Sequence, residues 1–118
     1  MSLESAISEL QEALSGARSA SNWRWLVRQR LSAVRQALTD ENFDAWEGWL
    51  APRTGAMDRE RRQLLSRISA TGAGLLDRLE TDRLASEVRR LLLDIEHYRQ
   101  RVHDLVYDSV AMEIGGSE

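Results

Sequence analysis

The stretch that decides the fold is DRLASEVRRLLLDIEHYRQRVHDLVYDSV, residues 82–110. Its apolar side chains recur every three or four residues, at Leu84, Val88, Leu91, Ile95, Tyr98, Val102 and Leu105. This spacing places them in one stripe along an α-helix, and Leu92 and Val106 widen that stripe. Thr81 or Asp82 is expected to cap the start of the helix, and Gly115-Gly116 to mark its end. An apolar stripe of this length has to be buried from water, so the rest of the chain is expected to pack against it.

Two further helices are predicted in the first third of the chain. Apolar residues at helical spacing predict one helix over about Ser2–Gly16, capped by Ser2, and another over Trp23–Leu38, capped by Asn22. Between them, Ser19–Asn22 has small polar side chains that compete for backbone hydrogen bonds. Either a short loop or a kink in one continuous helix is expected there.

The middle of the chain predicts a short aromatic helix followed by a longer one. Phe43, Trp46 and Leu50 share one helical face, and Pro52 is expected to end that helix. The next helix is predicted to begin near Ala56 and to be interrupted at Thr71–Gly74 before a further turn or two.

These elements predict an all-α fold, an antiparallel four-helix bundle with an additional short aromatic helix. No alternating strand pattern occurs in the sequence. One bundle domain over residues 1–114 is expected, with a short disordered tail at 115–118.

Composition excludes several classes of function. A net charge of −3 argues against a nucleic-acid-binding protein, and the chain has no cysteine for thiolate chemistry or disulfides. No apolar run reaches membrane-spanning length and no signal peptide is evident, so a cytoplasmic protein without membrane partners is expected. All sixteen basic residues are arginine. Residues 23–38 hold four of them and no acid, whereas residues 39–50 hold four acids and no base.

The two histidines and the nearby carboxylates are the candidate metal ligands. His97 and His103 are six residues apart and therefore project about 120° apart on a helix. Asp94, Asp104 and Asp108 lie on the same predicted helix, but no other helix contributes a histidine. Ion-paired or solvated surface groups are therefore the favoured interpretation.

The aromatic residues indicate a contact surface. Trp23 and Trp25 point to different sides of the second helix, so at least one is expected to leave the core. Partly exposed aromatic side chains are typical anchors of protein interfaces. The predicted interface residues are Trp25, Trp46, Trp49 and Tyr107, the last lying opposite the main stripe.

The run HYRQRVHDLVYD, residues 97–108, with Glu113-Ile114-Gly115-Gly116 after it, resembles the last helix of small actinobacterial helical-bundle proteins, some of them hemerythrin-like. The resemblance covers about residues 85–116. It implies an up-down bundle and an ancestral di-iron or oxygen-handling site. Only His103 and Asp108 match the last ligand pair of that family, whose other histidines come from helices that carry none here.

The sequence therefore predicts a non-enzymatic helical bundle that acts through protein–protein contacts, a homodimer being one form. No catalytic residue and no cofactor are expected, since the chain contains no phosphate loop and no nucleophile elbow. The alternative is a degenerate hemerythrin-like or carboxylate metal-binding bundle.

Replacement of Trp46 and Trp49 by Ala is expected to change the oligomeric state or the capture of a partner more than it changes helicity. Sedimentation velocity and circular dichroism together measure the two effects. An unaltered monomer, together with pull-downs that recover nothing, would contradict the predicted interface.

Overall fold

The computed structural model describes the backbone of residues 2–17, 21–40, 51–76 and 80–116, and the side chains of these residues except 51–54, 76, 106 and 108–116. It contains four α-helices, which are α1 Leu3–Ser15, α2 Trp23–Thr39, α3 Ala51–Leu76 and α4 Thr81–Gly116. The described residues include no strand, and the all-α prediction is confirmed. The predicted short aromatic helix falls on residues 41–50, which lie outside the described part of the chain.

Polar contacts at both ends of α2 show that it runs antiparallel to α3. At one end, Arg24 Nη1 donates to the carbonyl oxygen of Leu75 at 3.5 Å. At the other, Arg61 Nη1 donates to the carbonyl oxygen of Thr39 at 3.5 Å. Each arginine thus satisfies a carbonyl in the last turn of the neighbouring helix, where no intrahelical donor is available.

The antiparallel arrangement continues from α3 to α4. Arg67 Nη2 lies 2.8 Å from Asp94 Oδ2, and Arg101 pairs with Glu60. Residue numbers therefore rise along α4 as they fall along α3.

Helix α1 also runs antiparallel to α4, but against only part of its length. Glu4 pairs with Arg99 at 3.5 Å, and Gln11 donates to Glu96 at 3.4 Å. The 36 residues of α4 extend about 54 Å, whereas the 13 of α1 extend about 20 Å. The molecule measures 60 × 21 × 21 Å, so α4 spans nearly its whole length and continues past the first turn of α1.

The core is built on the α4 stripe. Leu84, Val88, Ile95 and Tyr98 are fully buried, and Leu91 is 1% exposed. The other three helices contribute the facing apolar residues, which are Leu3, Ala6, Ile7, Leu10, Ala13 and Leu14 of α1, Trp23, Val27, Leu31, Val34, Ala37 and Leu38 of α2, and Leu64, Ile68 and Leu75 of α3. The four apolar faces meet in one bundle core, as the periodicity predicts.

The helix starts differ in how well they match the predicted caps. Ser2 caps α1 as predicted, because its Oγ accepts from the backbone N–H of Ser5 at 3.2 Å. Asn22 precedes α2 but makes no side-chain capping bond. Thr81 is itself helical, so Glu80 occupies the position before α4, and the prediction of Thr81 or Asp82 as cap was wrong. The Thr81 hydroxyl instead accepts from Arg24 Nη2 at 3.3 Å.

Helix α3 departs from the prediction at its start. It begins at Ala51 rather than near Ala56, and Pro52 is its second residue rather than the end of a preceding helix. Backbone N–H groups in a first helical turn have no intrahelical acceptor, so proline is tolerated there.

The predicted interruption at Thr71–Gly74 was also wrong, because α3 continues without a break to Leu76. Ile68 and Leu75 are two turns apart and both are buried, so the core holds the helix on each side of the glycines. Tertiary packing outweighs the low helix propensity of glycine, about 1 kcal/mol per residue.

The Gly72→Ala substitution is expected to stabilise the protein by about 0.5–1 kcal/mol. A Cβ at this position meets no atom within 4 Å, so the added methyl group causes no clash while the unfolded chain loses freedom. Urea denaturation followed by circular dichroism measures the change. A destabilised variant would contradict the open space described at Gly72.

The Asp58→Asn substitution is expected to lower the free energy of unfolding by up to about 1 kcal/mol at pH 7, as for other surface ion pairs. The hydrogen bond from Arg61 holds the pKa of Asp58 below its ordinary value, against the opposing effect of desolvation, and Arg62 adds to the lowering. Because the pKa is depressed in the folded state, the stabilisation is present above about pH 4 and is lost as the pH falls through the folded-state pKa. Urea denaturation of both proteins at pH 7, 4 and 3 should show their stabilities converge; a difference that stays constant would contradict this account.

Candidate functional site

A groove of about 460 Å³ lies between α2 and α3 on the outside of the bundle. Its α3 wall is made largely of small residues, Ser69, Gly72 and Ala73, so no large side chain from that helix fills the space. Leu31 and Ile68, which belong to the core, form its apolar floor. The remaining lining residues come from α2 and are Trp25, Arg28, Gln29, Ser32 and Arg35.

Trp25 is the most prominent apolar residue of this groove. Its side chain is 62% exposed, whereas that of Trp23 is 2% exposed. Two residues along an α-helix turn the side chain by about 200°, so the two indoles lie on opposite sides of α2. The prediction that one tryptophan of this pair leaves the core is confirmed.

The groove is positively charged. Arg28 is exposed on its α2 wall, and Arg35 Nε donates to the Ser69 hydroxyl across the groove at 3.1 Å. No acidic side chain lines the groove among the described residues, and α2 itself contains none. Two guanidinium groups and an indole thus border one concave, largely apolar space.

The structure describes only one of the other three predicted contact residues. Tyr107 is 69% exposed on α4, as expected from its position opposite the stripe. Trp46 and Trp49 lie outside the described residues. The interface role of these three residues, and that of Trp25, stays a prediction.

His97, a candidate metal ligand only under the alternative function, borders a small cavity of about 170 Å³ between α3 and α4. The two carboxylates of that cavity are already engaged, Asp94 with Arg67 and Glu60 with Arg101. Two guanidinium groups place positive charge where a metal cation would have to bind. The arrangement is therefore that of an ion-pair network that joins the two helices.

His103 faces away from that cavity. Its side chain is 74% exposed, and its Nδ1 lies 3.8 Å from Asp104 Oδ1. Asp108, which the alternative function pairs with His103, has its side chain outside the described residues, so this pair is neither supported nor contradicted. Within the described part of the chain, no three His, Asp or Glu side chains are arranged to hold a metal ion.

Another groove, of about 330 Å³, lies between α1 and α4 and is lined in part by Leu93. The side chain of Leu93 is 56% exposed. Gln11 and Glu96 close part of this groove through their hydrogen bond. The sequence indicates the exposure of Leu93 independently of the apolar stripe of α4. Leu91, Leu92 and Leu93 are consecutive, and three consecutive helical residues cannot all face one core.

No protein-family model, no curated protein and no solved structure matches this chain. Of the helices in the described residues, none is both long enough and apolar enough to cross a membrane.

Proposed function

We propose that this protein is a non-enzymatic helical bundle that binds another protein chain, and that the groove between α2 and α3 is its binding surface. The observation that carries the proposal is the exposure of Trp25 beside an open, apolar-floored space bordered by Arg28 and Arg35. Tryptophan and arginine are the residues most enriched among those that dominate binding energy at protein interfaces.

The shape of the site supports binding more than the exposure of Trp25 alone would. Single apolar side chains at a protein surface are ordinary and need no explanation. Here the indole borders a concavity, so an incoming side chain can contact the ring and the groove floor together. Water would leave both surfaces on binding, and guanidinium groups at the rim would offer directional hydrogen bonds.

The polar surfaces elsewhere support a role without catalysis. Both histidines lie exposed on α4, and the carboxylates around His97 are held by arginines. If the partner is a second copy of this chain, the protein self-associates through the groove.

The proposal is tested by replacing Gln29, which is exposed and lines the groove, with a photo-crosslinking amino acid. Irradiation of the full-length protein in its native cells is expected to give a discrete adduct. An adduct that contains only this chain identifies a homodimer, and one that contains another polypeptide identifies a different partner. The Trp25→Ala substitution should reduce the adduct at least about tenfold, as for an interface residue worth more than 1.4 kcal/mol.

The matched control places the same crosslinker at Ser86, which is exposed on α4. Circular dichroism should show that the Trp25→Ala protein keeps its helicity, since Trp25 contributes little to the core. Equal adducts from positions 29 and 86, or an adduct that survives loss of Trp25, would show that this groove is not the binding surface.

A further inference from the structure

We infer that the groove between α2 and α3 binds an acidic peptide segment of another protein, one that inserts a single large apolar side chain between two carboxylates. This inference rests on the proposed function and specifies the chemistry of the partner. Three features of the groove carry it, namely its charge, the spacing of its arginines and the space above Gly72.

The positive charge of the groove favours a partner with negative charge. Arg28 and Arg35 border it, and no acidic side chain lines it among the described residues. The whole chain nevertheless carries a net charge of −3, so the groove is a local positive region on an acidic protein. An acidic segment gains electrostatic attraction at this site.

The spacing of the two arginines indicates how the carboxylates of the partner are separated. Arg28 and Arg35 are seven residues apart on α2, about 10 Å along the helix axis. Two carboxylates seven residues apart on a helical segment have a similar separation and lie on the same face of that segment. The Arg35–Ser69 hydrogen bond uses the Nε–H of Arg35, so it orients the guanidinium and leaves the Nη1/Nη2 end to bind a carboxylate.

The space above Gly72 accepts the apolar side chain. No atom lies within 4 Å of a Cβ placed on Gly72, and Ala73 beside it adds only a methyl group. Leu31 and Ile68 lie beneath, and Trp25 lines the same space. A large apolar side chain from the partner would therefore contact apolar groups from both helices.

An acidic peptide fits this groove better than a nucleic acid does. Nucleic-acid binding depends on many phosphate contacts along an extended basic surface. This groove offers two arginines around an apolar floor, and the protein as a whole is acidic.

The test measures fluorescence anisotropy with a labelled helical peptide in an Ala/Gln background, bearing two Glu residues seven apart and one Leu between them. The full-length protein is expected to bind this peptide, and added salt should weaken the binding. Arg28→Glu and Gly72→Leu should each weaken it at least about tenfold, the first by charge reversal and the second by filling the groove. Arg90→Glu is the matched control, since Arg90 is exposed on α4 away from the groove, and should change binding less than about twofold.

A peptide with Lys in place of the one Glu residue that faces Arg28 provides a rescue that unfolding could not mimic. It should bind the original protein more weakly than the acidic peptide does. It should regain binding to the Arg28→Glu variant, in which the new carboxylate at position 28 and Arg35 then face Lys and Glu of the peptide. No binding of the acidic peptide at concentrations up to about 1 mM, the limit of weak recognition, would overturn the inference. So would equal binding of a peptide with Gln for Glu, or tighter binding of a single-stranded oligonucleotide at the same groove.

The outcomes separate this inference from the proposed function. If position 29 still crosslinks to a partner that depends on Trp25 while the acidic peptide does not bind, the groove is a binding surface and only the acidic chemistry is wrong. If neither position 29 nor the peptide reports binding, both statements fail.

Discussion

The burial of one face of α4 is the constraint on which the rest of the molecule depends. Each fully buried Val, Leu or Ile side chain of this stripe contributes about 1.5–3 kcal/mol when it leaves water. Leu84, Val88 and Ile95 are completely inaccessible only because α1, α2 and α3 each turn an apolar face towards them. The three shorter helices are thus held in place mainly by a surface that they share. Ion pairs such as Arg67–Asp94 lie at the edges of that surface and set the register more than the stability.

The groove is a by-product of how the same core is closed. Helix α2 presents large residues inward at Val27, Leu31 and Val34, and α3 meets them with Leu64 and Ile68. Above Ile68 the outer edge of α3 has only small side chains, so the two helices are joined at the core but separated at the surface. Arg28 and Arg35 of α2 then border the opening, because charged side chains lie outside the core. The result is a site that costs the fold little, since none of its exposed side chains is needed to bury α4.

Periodicity predicted α1, α2 and α4 well because each has a continuous apolar stripe, and a stripe records which face a helix buries. It failed on α3, where local signals at Pro52 and Thr71–Gly74 favour breaks that the structure does not have. Those signals report the preference of a few residues, whereas the helix is held by buried residues two turns apart. The exposure of Trp25 could be predicted from its offset to Trp23. The groove could not, because an empty space depends on which residues of two different helices face each other, and no pattern within one helix contains that information.

The segment of α3 from Ser69 to Gly74 has a further consequence for dynamics. Its Ser, Ala and Thr side chains are small and its two glycines have none, so the backbone hydrogen bonds are shielded less than beside the larger residues on either side. Amide hydrogen exchange depends on local opening, and opening requires least free energy where few contacts must break. Helices ordinarily exchange fastest in their terminal turns, and in α3 the region of faster exchange should extend inward from the C-terminal end as far as Ser69, on the side that lines the groove. Packing overrides the local preference of these residues for a break in the helix. The preference still lowers the free energy of local opening in this part of α3, relative to the rest of the same helix.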